Sequence, residues 1–239
     1  MSNKFTIPAN HNSYILFGGY VSRATAVRMV LEELEIEYDY REVITRDSEH
    51  KSSEYLKINP AGYIPTLITP DGCKMHEAAG ICLWLADVNQ NEELAPLPLD
   101  KDRIEFLSKL FFITNDIQPS SKQAFFSERY APTPETISLV KDQAIDRVLE
   151  RWSVLNDHLI QSGPFILGDR FSLVDIYLSM WAAYGLKYND DILGRFPSVK
   201  ECYERVLKRP NSGHLLDALR NDVLSYKPSR SDSNSSVKA

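Results

Sequence analysis

Cysteine is scarce in this chain of 239 residues: Cys73, Cys82 and Cys202 are an odd number, without CxxC spacing. That excludes a disulfide framework and a cysteine-type zinc site, and it fits a reducing compartment. His11, His50, His76, His158 and His214 show no metal-ligand spacing, so no metal is expected. Runs of positive charge are missing too. No more than two basic residues adjoin and the net charge is −6, which argues against binding to a nucleic-acid backbone. No apolar run approaches membrane-spanning length, and Met1 to Ser13 is polar with no apolar h-region. No membrane partner or signal peptide is therefore expected, and the expected location is cytoplasmic. No internal repeat is found.

What the chain does have is 43% hydrophobic and 25% charged residues, enough to bury a core in one large or two small domains. Tyr14-Ile-Leu-Phe17 reads as a short buried strand, broken by Gly18-Gly19. Ser22 is a good N-cap for a helix carrying Val27, Val30, Leu31 and Leu34 at helical spacing. Ile36, Tyr38 and Tyr40 alternate with charged residues, which predicts a second strand and a βαβ unit with a right-handed crossover. Asp47 to Ile58 is polar and predicts a short irregular helix. Ile64 to Ile68, the turn Pro70-Asp71-Gly72 and Cys73 to Met75 predict a hairpin, followed by a helix over Ala78 to Val88.

Asn89 to Leu99 is without periodicity and is the linker candidate. No strand pattern recurs beyond it. Asp100 is read as the cap of a helix that ends at Gln118-Pro119, with an irregular connection over Ser120 to Thr133. Pro132-Thr-Pro134 opens a long helix that Gly163-Pro164 stops. Ser172-Leu-Val-Asp175 has the form of a capping box, with Phe171 and Ile176 placed for a hydrophobic staple. Phe196 to Val199 opens one more helix, stopped at Arg209-Pro210. The expected division is a flexible N-terminus (1–13), an α/β domain (14–88), a linker (89–99), an all-α domain (100–225) and a disordered tail (226–239).

The stretch from Asn59 to Ile81 organises the first domain. It contains Asn59-Pro-Ala-Gly-Tyr-Ile-Pro-Thr-Leu67, then a turn, then Glu77-Ala-Ala-Gly-Ile81. A proline second in a strand cannot donate to a ladder, so the residues alone indicate an edge strand. The pattern resembles the glutathione-binding half of the cytosolic glutathione transferases. With the Ser172 box, the resemblance runs from about Tyr14 to Tyr226. It implies a thioredoxin-like domain followed by an all-helical domain, glutathione as co-substrate, no metal, a homodimer, and a transferase role in detoxification.

The chemical problem of such a site is thiol activation. A free thiol has a pKa near 8.5, and lowering it by about two units needs about 2.7 kcal/mol of preference for the anion. A hydroxyl donor and a helix N-terminus both act on the charged form. Phe17 to Arg28 lines up without gaps with the tyrosine-type families, and Phe17 then stands where their hydroxyl would be. Serine-type families place the donor at the start of the first helix, where Ser22 stands. The candidates are Ser22 first, Tyr20 second and Tyr14 third. Capping alone explains Ser22 as well, and loop packing explains Tyr20. No cysteine lies in this turn, which disfavours the thiol–disulfide reductases of cysteine type.

For the tripeptide itself, the resemblance implies Arg23, His50 and Lys51 as cationic contacts. Ile64 and Pro65 would form the edge that pairs with the cysteinyl backbone, and Glu77 and Ala78 the γ-glutamyl end. Without the resemblance, Arg23 reads as a solvated surface arginine, His50 and Lys51 as part of an exposed polar helix, and Ile64-Pro65 as an ordinary edge strand. Ala78 stands where the family usually has serine, removing a hydroxyl bond worth about 1.5–3 kcal/mol to a charged partner. The small hydrophobic electrophile would meet aromatics of the helical domain: Phe111, Phe112, Phe126, Tyr130 and Tyr184, with Phe125 and Trp181 beside them. Aromatics at helical spacing are more often core. Two alternatives stay open: a non-catalytic binding or regulatory module, and a specialised lyase, dehalogenase or ether-cleaving enzyme.

Overall fold

Buried runs in the first and third and polar–apolar alternation in the second mark four short strands: β1 (Tyr14–Gly18), β2 (Tyr38–Glu42), β3 (Thr66–Ile68) and β4 (Lys74–His76). The computed structural model describes residues 4–9, 11–187 and 192–226. The strand order is β2-β1-β3-β4, with β1 parallel to β2 and antiparallel to β3, and β3 antiparallel to β4. With α1 (Ala24–Glu33), α2 (Ser53–Leu56) and α3 (Ala78–Val88), the order is the expected thioredoxin-like β-α-β-α-β-β-α.

The period of two divides the sheet's side chains between two cores. Leu16 and Leu67 join the large cluster that includes Val27, Val30 and Leu31 of α1 and Ile81 and Leu85 of α3. Ile15, Phe17 and Ile68 join a smaller one with Val43, Tyr55 and Ile58. Phe17 is fully buried there, its ring 6.0 Å from that of Tyr55 and 5.7 Å from the Arg41 guanidinium.

The second domain is helical throughout, as expected: α4 (Arg103–Phe112), α5 (Gln118–Phe125), α6 (Ile137–Ser162), α7 (Leu173–Gly185), α8 (Ile192–Arg195), α9 (Pro197–Leu207) and α10 (Gly213–Ser225). Every residue of α7 is buried, as an all-round apolar helix requires. Its start is the capping box read from the sequence. Asp175 Oδ2 accepts from the Ser172 backbone N–H at 2.8 Å, and Ser172 Oγ accepts from Val174 N at 3.3 Å. Asp175 Oδ1 also accepts from Ile166 N at 2.8 Å, so one carboxylate holds both the helix start and the preceding loop.

Four local expectations are corrected. First, β2 starts at Tyr38, not Ile36, because its register is set by pairing Tyr14 with Tyr38. Second, α4 begins at Arg103, with Asp100 Oδ1 accepting from Asp102 N at 2.8 Å in the turn ahead of it. Third, Pro119 does not stop the chain's helical course. Ile113–Ile117 forms a π-helical turn, and Pro119 falls in the first turn of α5, where its missing N–H has no carbonyl to satisfy. Ser120 to Phe125 is therefore helix, not irregular connection. Fourth, a further helix, α10, follows the stop at Arg209-Pro210 and ends at Ser225, the expected end of the helical domain, and Tyr226, expected in the tail, packs against Tyr20 and Phe125. The rest of the expected tail, 227–239, lies outside the described residues.

Candidate functional site

The β1–α1 turn and the segment before β3 meet because Gly19 has no side chain. A Cβ there would lie 2.7 Å from Ile64 Cδ1 and 2.8 Å from the Val43 carbonyl oxygen. Beyond the turn, Val21 takes a left-handed conformation with φ of 48°, uncommon for a β-branched residue. Such strain costs on the order of 1–3 kcal/mol and collects at functional sites. It sets Ser22 and Arg23 on the rim of a cleft of about 570 Å³ between the two domains.

Ser22 is tightly held. Its Oγ donates to the Gly19 carbonyl at 2.7 Å and accepts from Gly19 N at 3.2 Å and Ala24 N at 3.3 Å. Arg23, not Ser22, occupies the N-cap position of α1, and Ser22 serves the same helix start one residue earlier. Tyr20 is 49% exposed, and its hydroxyl reaches the Asp222 carbonyl at 3.3 Å and Ser225 Oγ at 3.3 Å. Both residues line the cleft. Tyr14 does not. It packs on Trp84, and Asp71 in the β3–β4 turn bears on its charge, which places it at the other end of the sheet.

The floor of the cleft is formed by His50, Lys51, Tyr63 and Ile64. Gly62 makes this possible with φ of 61°, since a Cβ would lie 2.9 Å from both the His50 carbonyl and Lys51 Nζ. The Ile64–Pro65 peptide bond is cis; Ile64 faces the cleft, and Pro65 is buried behind it. Glu77 also has a left-handed backbone, φ 66°, at the start of α3, and its side chain is 77% exposed. Its carboxylate lies 3.8 Å from Arg23 Nη1. Ala78, the first residue of α3, is buried. Pro65, Glu77 and Ala78 are not in the cleft lining itself; Arg23 links Glu77 to it.

The helical domain supplies an aromatic wall. Trp181 and Tyr184 of α7 lie 5.0 Å apart, Phe125 lies 6.4 Å from Tyr184, and Tyr226 lies 5.5 Å from Phe125. Tyr226 then stacks on Tyr20 at 6.4 Å, closing one side of the cleft. Burial pushes the Tyr184 phenol above its ordinary pKa, against the pull of Arg23, so it stays protonated. Phe126 and Tyr130 also line the cleft. Phe111 and Phe112 do not. Phe111 is 50% exposed on the outer side of α4, and Phe112 packs against the main core.

Charge in the cleft runs against the chain's overall sign. Arg23, Arg46, Lys51, Lys122 and Arg129 line it together with His50, and among the described lining residues there is no Asp or Glu. Among the described residues no group of His, Cys, Asp and Glu is placed to hold a metal ion. Cys82 and Cys202 are buried, and Cys73 is exposed beside the β3–β4 turn.

Two family models match this chain: the glutathione S-transferase N-terminal domain over residues 22–88, and the glutathione S-transferase C-terminal domain over 115–212. The chain belongs to the glutathione transferase family. Among similar members are glutathione S-transferase 1 of Dianthus caryophyllus, 25% identical over 78% of this chain and 83% of that one. Another is the disulfide-bond oxidoreductase YfcG of Escherichia coli, 26% identical over 80% of this chain and 88% of that one. The glutathione transferase URE2P8 of Phanerochaete chrysosporium, solved with oxidized glutathione, superposes with a TM-score of 0.79. It is 24% identical, with 92% of this chain and all of that one covered.

For a member of the glutathione transferase family, the missing hydroxyl at Phe17 has a plain structural counterpart. The Phe17 side chain is buried with Tyr55 and does not reach the cleft, where Ser22 and Tyr20 are the hydroxyl residues that the β1–α1 turn contributes. The sequence reading missed Lys122, Arg129 and Tyr226. A signal for the first two existed: they flank Phe125-Phe126 in the segment taken as a loop. Tyr226 carried none, because only its contacts with Tyr20 and Phe125 bring it to the site.

Proposed function

We propose that this cleft binds glutathione and presents its sulfur as thiolate to an electrophile on the aromatic wall. The observation that carries the reading is the convergence of Ser22, Arg23, His50, Lys51 and Ile64 on one cationic cleft with a helix start at its rim. Glutathione carries a single net negative charge, which such a lining favours. Ser22 Oγ is the donor we assign to the sulfur, with Tyr20 second. Ile64 would pair with the cysteinyl backbone, and Ala78 N at the start of α3 would meet the γ-glutamyl carboxylate. In conjugation the sulfur–carbon bond forms, the leaving group departs with its bonding pair, and the thiol proton passes to solvent. Complexes with glutathione or its disulfide among the solved relatives support the ligand.

The Ser22 and Tyr20 hydroxyls are both hydrogen-bonded within the protein, and this favours as second reading a glutathione-binding protein without transferase activity. Calorimetry with glutathione, followed by conjugation of a generic aryl halide, separates the two. Binding with turnover supports transfer; binding without turnover with any aryl halide supports the second reading. No binding at millimolar glutathione overturns both. A homodimer is proposed on the outward face of α4, where Ile104 is 78% and Phe111 50% exposed. A monomer in sedimentation at micromolar protein would overturn it. No described helix is long and apolar enough to cross a membrane; a cytoplasmic location remains part of the proposal.

A further inference from the structure

Two hydrogen-bond donors on the aromatic wall lack an acceptor among the described residues. Trp181 and Tyr184 stand one turn apart on α7, their ring centres 5.0 Å from each other. Both line the cleft, and both are more than nine-tenths buried, at 4% and 8% exposure. The Trp181 indole nitrogen has no hydrogen-bond partner and is sealed inside the wall. The Tyr184 phenol has none either: burial and the Arg23, Tyr40 and Tyr226 groups act on its ionisation, and no hydrogen bond does.

Of the two, Tyr184 is the one a ligand can reach. Its ring stands 6.4 Å from Phe125, which in turn lies 4.7 Å from Phe126. Arg23, at the start of α1, bears on the same phenol from the other domain, and burial keeps the phenol protonated. The hydroxyl therefore presents a proton in a field of positive charge. Among the described lining residues there is no Asp, Glu, Asn or Gln. A ligand that meets this hydroxyl has to bring an oxygen with partial negative charge, since a ligand N–H would face like charge.

We infer that the second ligand of the cleft is an aromatic compound with a neutral carbonyl-type oxygen, which accepts a hydrogen bond from Tyr184 while the ring lies against Phe125 and Phe126. The inference rests on the glutathione reading only in leaving the helical-domain side of the cleft to a second ligand. It narrows the small hydrophobic electrophile expected from the sequence to one with an acceptor beside its ring. A purely apolar ligand would bury the Tyr184 hydroxyl away from water with nothing to bond, which is unfavourable. A carboxylate would lose its hydration against a wall of rings, so the oxygen is a neutral one.

Fluorine NMR titration of the full chain tests this with two probes of one shape. They are para-fluoroacetophenone and para-fluoro-α-methylstyrene, in which CH2 replaces the carbonyl oxygen. Each is titrated into the wild type and Tyr184→Phe, first without glutathione and then with it at saturation. Tyr184→Phe removes one oxygen and, among the described residues, no hydrogen bond of the fold. The Kd of the ketone should rise about fivefold to tenfold in Tyr184→Phe, the scale of one hydrogen bond to a buried donor. That of the styrene should stay the same or fall.

Equal changes for the two probes overturn the inference, as does undetectable binding of the ketone to the wild type. A loss of ketone affinity in Trp181→Phe with none in Tyr184→Phe moves the donor to the indole and overturns the assignment to Tyr184. The third probe is para-fluorobenzoate; a larger loss for it than for the ketone makes the oxygen a carboxylate's and overturns the neutral assignment. If Tyr184→Phe raises the Kd of glutathione and leaves that of the ketone unchanged, the hydroxyl serves the tripeptide, and the inference falls while the function stands. If glutathione does not bind the wild type, the function proposed above fails, and the titrations made without it still decide the place of Tyr184.

Discussion

Ser22 Oγ donates its proton to the Gly19 carbonyl at 2.7 Å, while its lone pairs take the Gly19 and Ala24 N–H groups. The hydroxyl therefore has two jobs, bracing the β1–α1 turn and facing the cleft. To reach a sulfur it must rotate and give up Gly19. Ser22→Ala is expected to destabilise the fold by about 1 kcal/mol through the lost turn contacts. It should also lower kcat/KM with glutathione by about tenfold to a hundredfold, from loss of a hydrogen bond to an anion. Tyr20→Phe should change kcat/KM by less than about threefold, since its hydroxyl meets α10 at 3.3 Å on an exposed edge. Steady-state kinetics and the pH dependence of bound-thiolate absorbance read both; a larger effect at Tyr20 would reverse the assignment.

Arg23 stands at the start of α1 with its side chain 18% exposed, between the cleft and the Glu77 carboxylate. Arg23→Ala is expected to raise the glutathione Kd by about tenfold, most at low salt, where screening is weakest. Calorimetry at two ionic strengths checks this. A Kd unchanged at both would return Arg23 to the role of a surface residue.

The two domains are clamped by a bidentate pair. Arg209 Nε and Nη2 reach the two Glu33 oxygens at 2.9 and 2.8 Å, Ser212 Oγ adds a third bond, and the Glu33 side chain is only 4% exposed. The Arg209 guanidinium also lies 3.7 Å from the centre of the Phe171 ring. Glu33→Gln leaves the guanidinium with Glu93, 3.0 Å from Nη2, as its remaining carboxylate partner, and should cost about 2 kcal/mol. Urea denaturation measures it, and a loss under about 1 kcal/mol would show the pair to be dispensable.

Asp175 is wholly buried, and burial pushes its carboxyl up to about 6, against hydrogen bonds from Ile166 N, Ser172 N and Ser172 Oγ. The folded state therefore holds this proton more tightly than the unfolded chain, whose value is near 3.8. Its stabilising contribution is full below the unfolded pKa and is lost as pH rises through about 6. The stability of the wild type relative to Asp175→Asn should fall on going from about pH 4 to about pH 6, by on the order of 3 kcal/mol, and level off above. Paired thermal or urea melts across that range test it; a difference that rises with pH would mean that the hydrogen bonds outweigh burial.

Local chemistry carried much of the fold. The thioredoxin-like order was legible because β1 and β3 are short apolar runs bounded by turn residues, β2 alternates with period two, and α1 repeats apolar residues at helical spacing. The Ser172–Asp175 box was legible because its partners are three residues apart. Pro119 misled, because a proline halts an α-helix but fits the first turn after a π-helical one. Phe111 and Phe112 misled for a related reason: helical spacing shows that two residues lie on a helix, not which direction each faces in the assembled domain.

The site divides along the same line. By itself the sequence determined the local pieces: the Gly18–Arg23 turn, the Ile64–Pro65 edge and the helix start after Glu77. Neighbouring residues create each of these through turn preference, a ring-fixed φ or free N–H groups. Only the tertiary structure decided that Phe17 packs away from the cleft with Tyr55, that Ser22 and Tyr20 face the cleft, and that Lys122, Arg129 and Tyr226 stand around it. Those facts depend on how two domains dock across Glu33 and Arg209, residues far apart in the chain whose meeting no local spacing records.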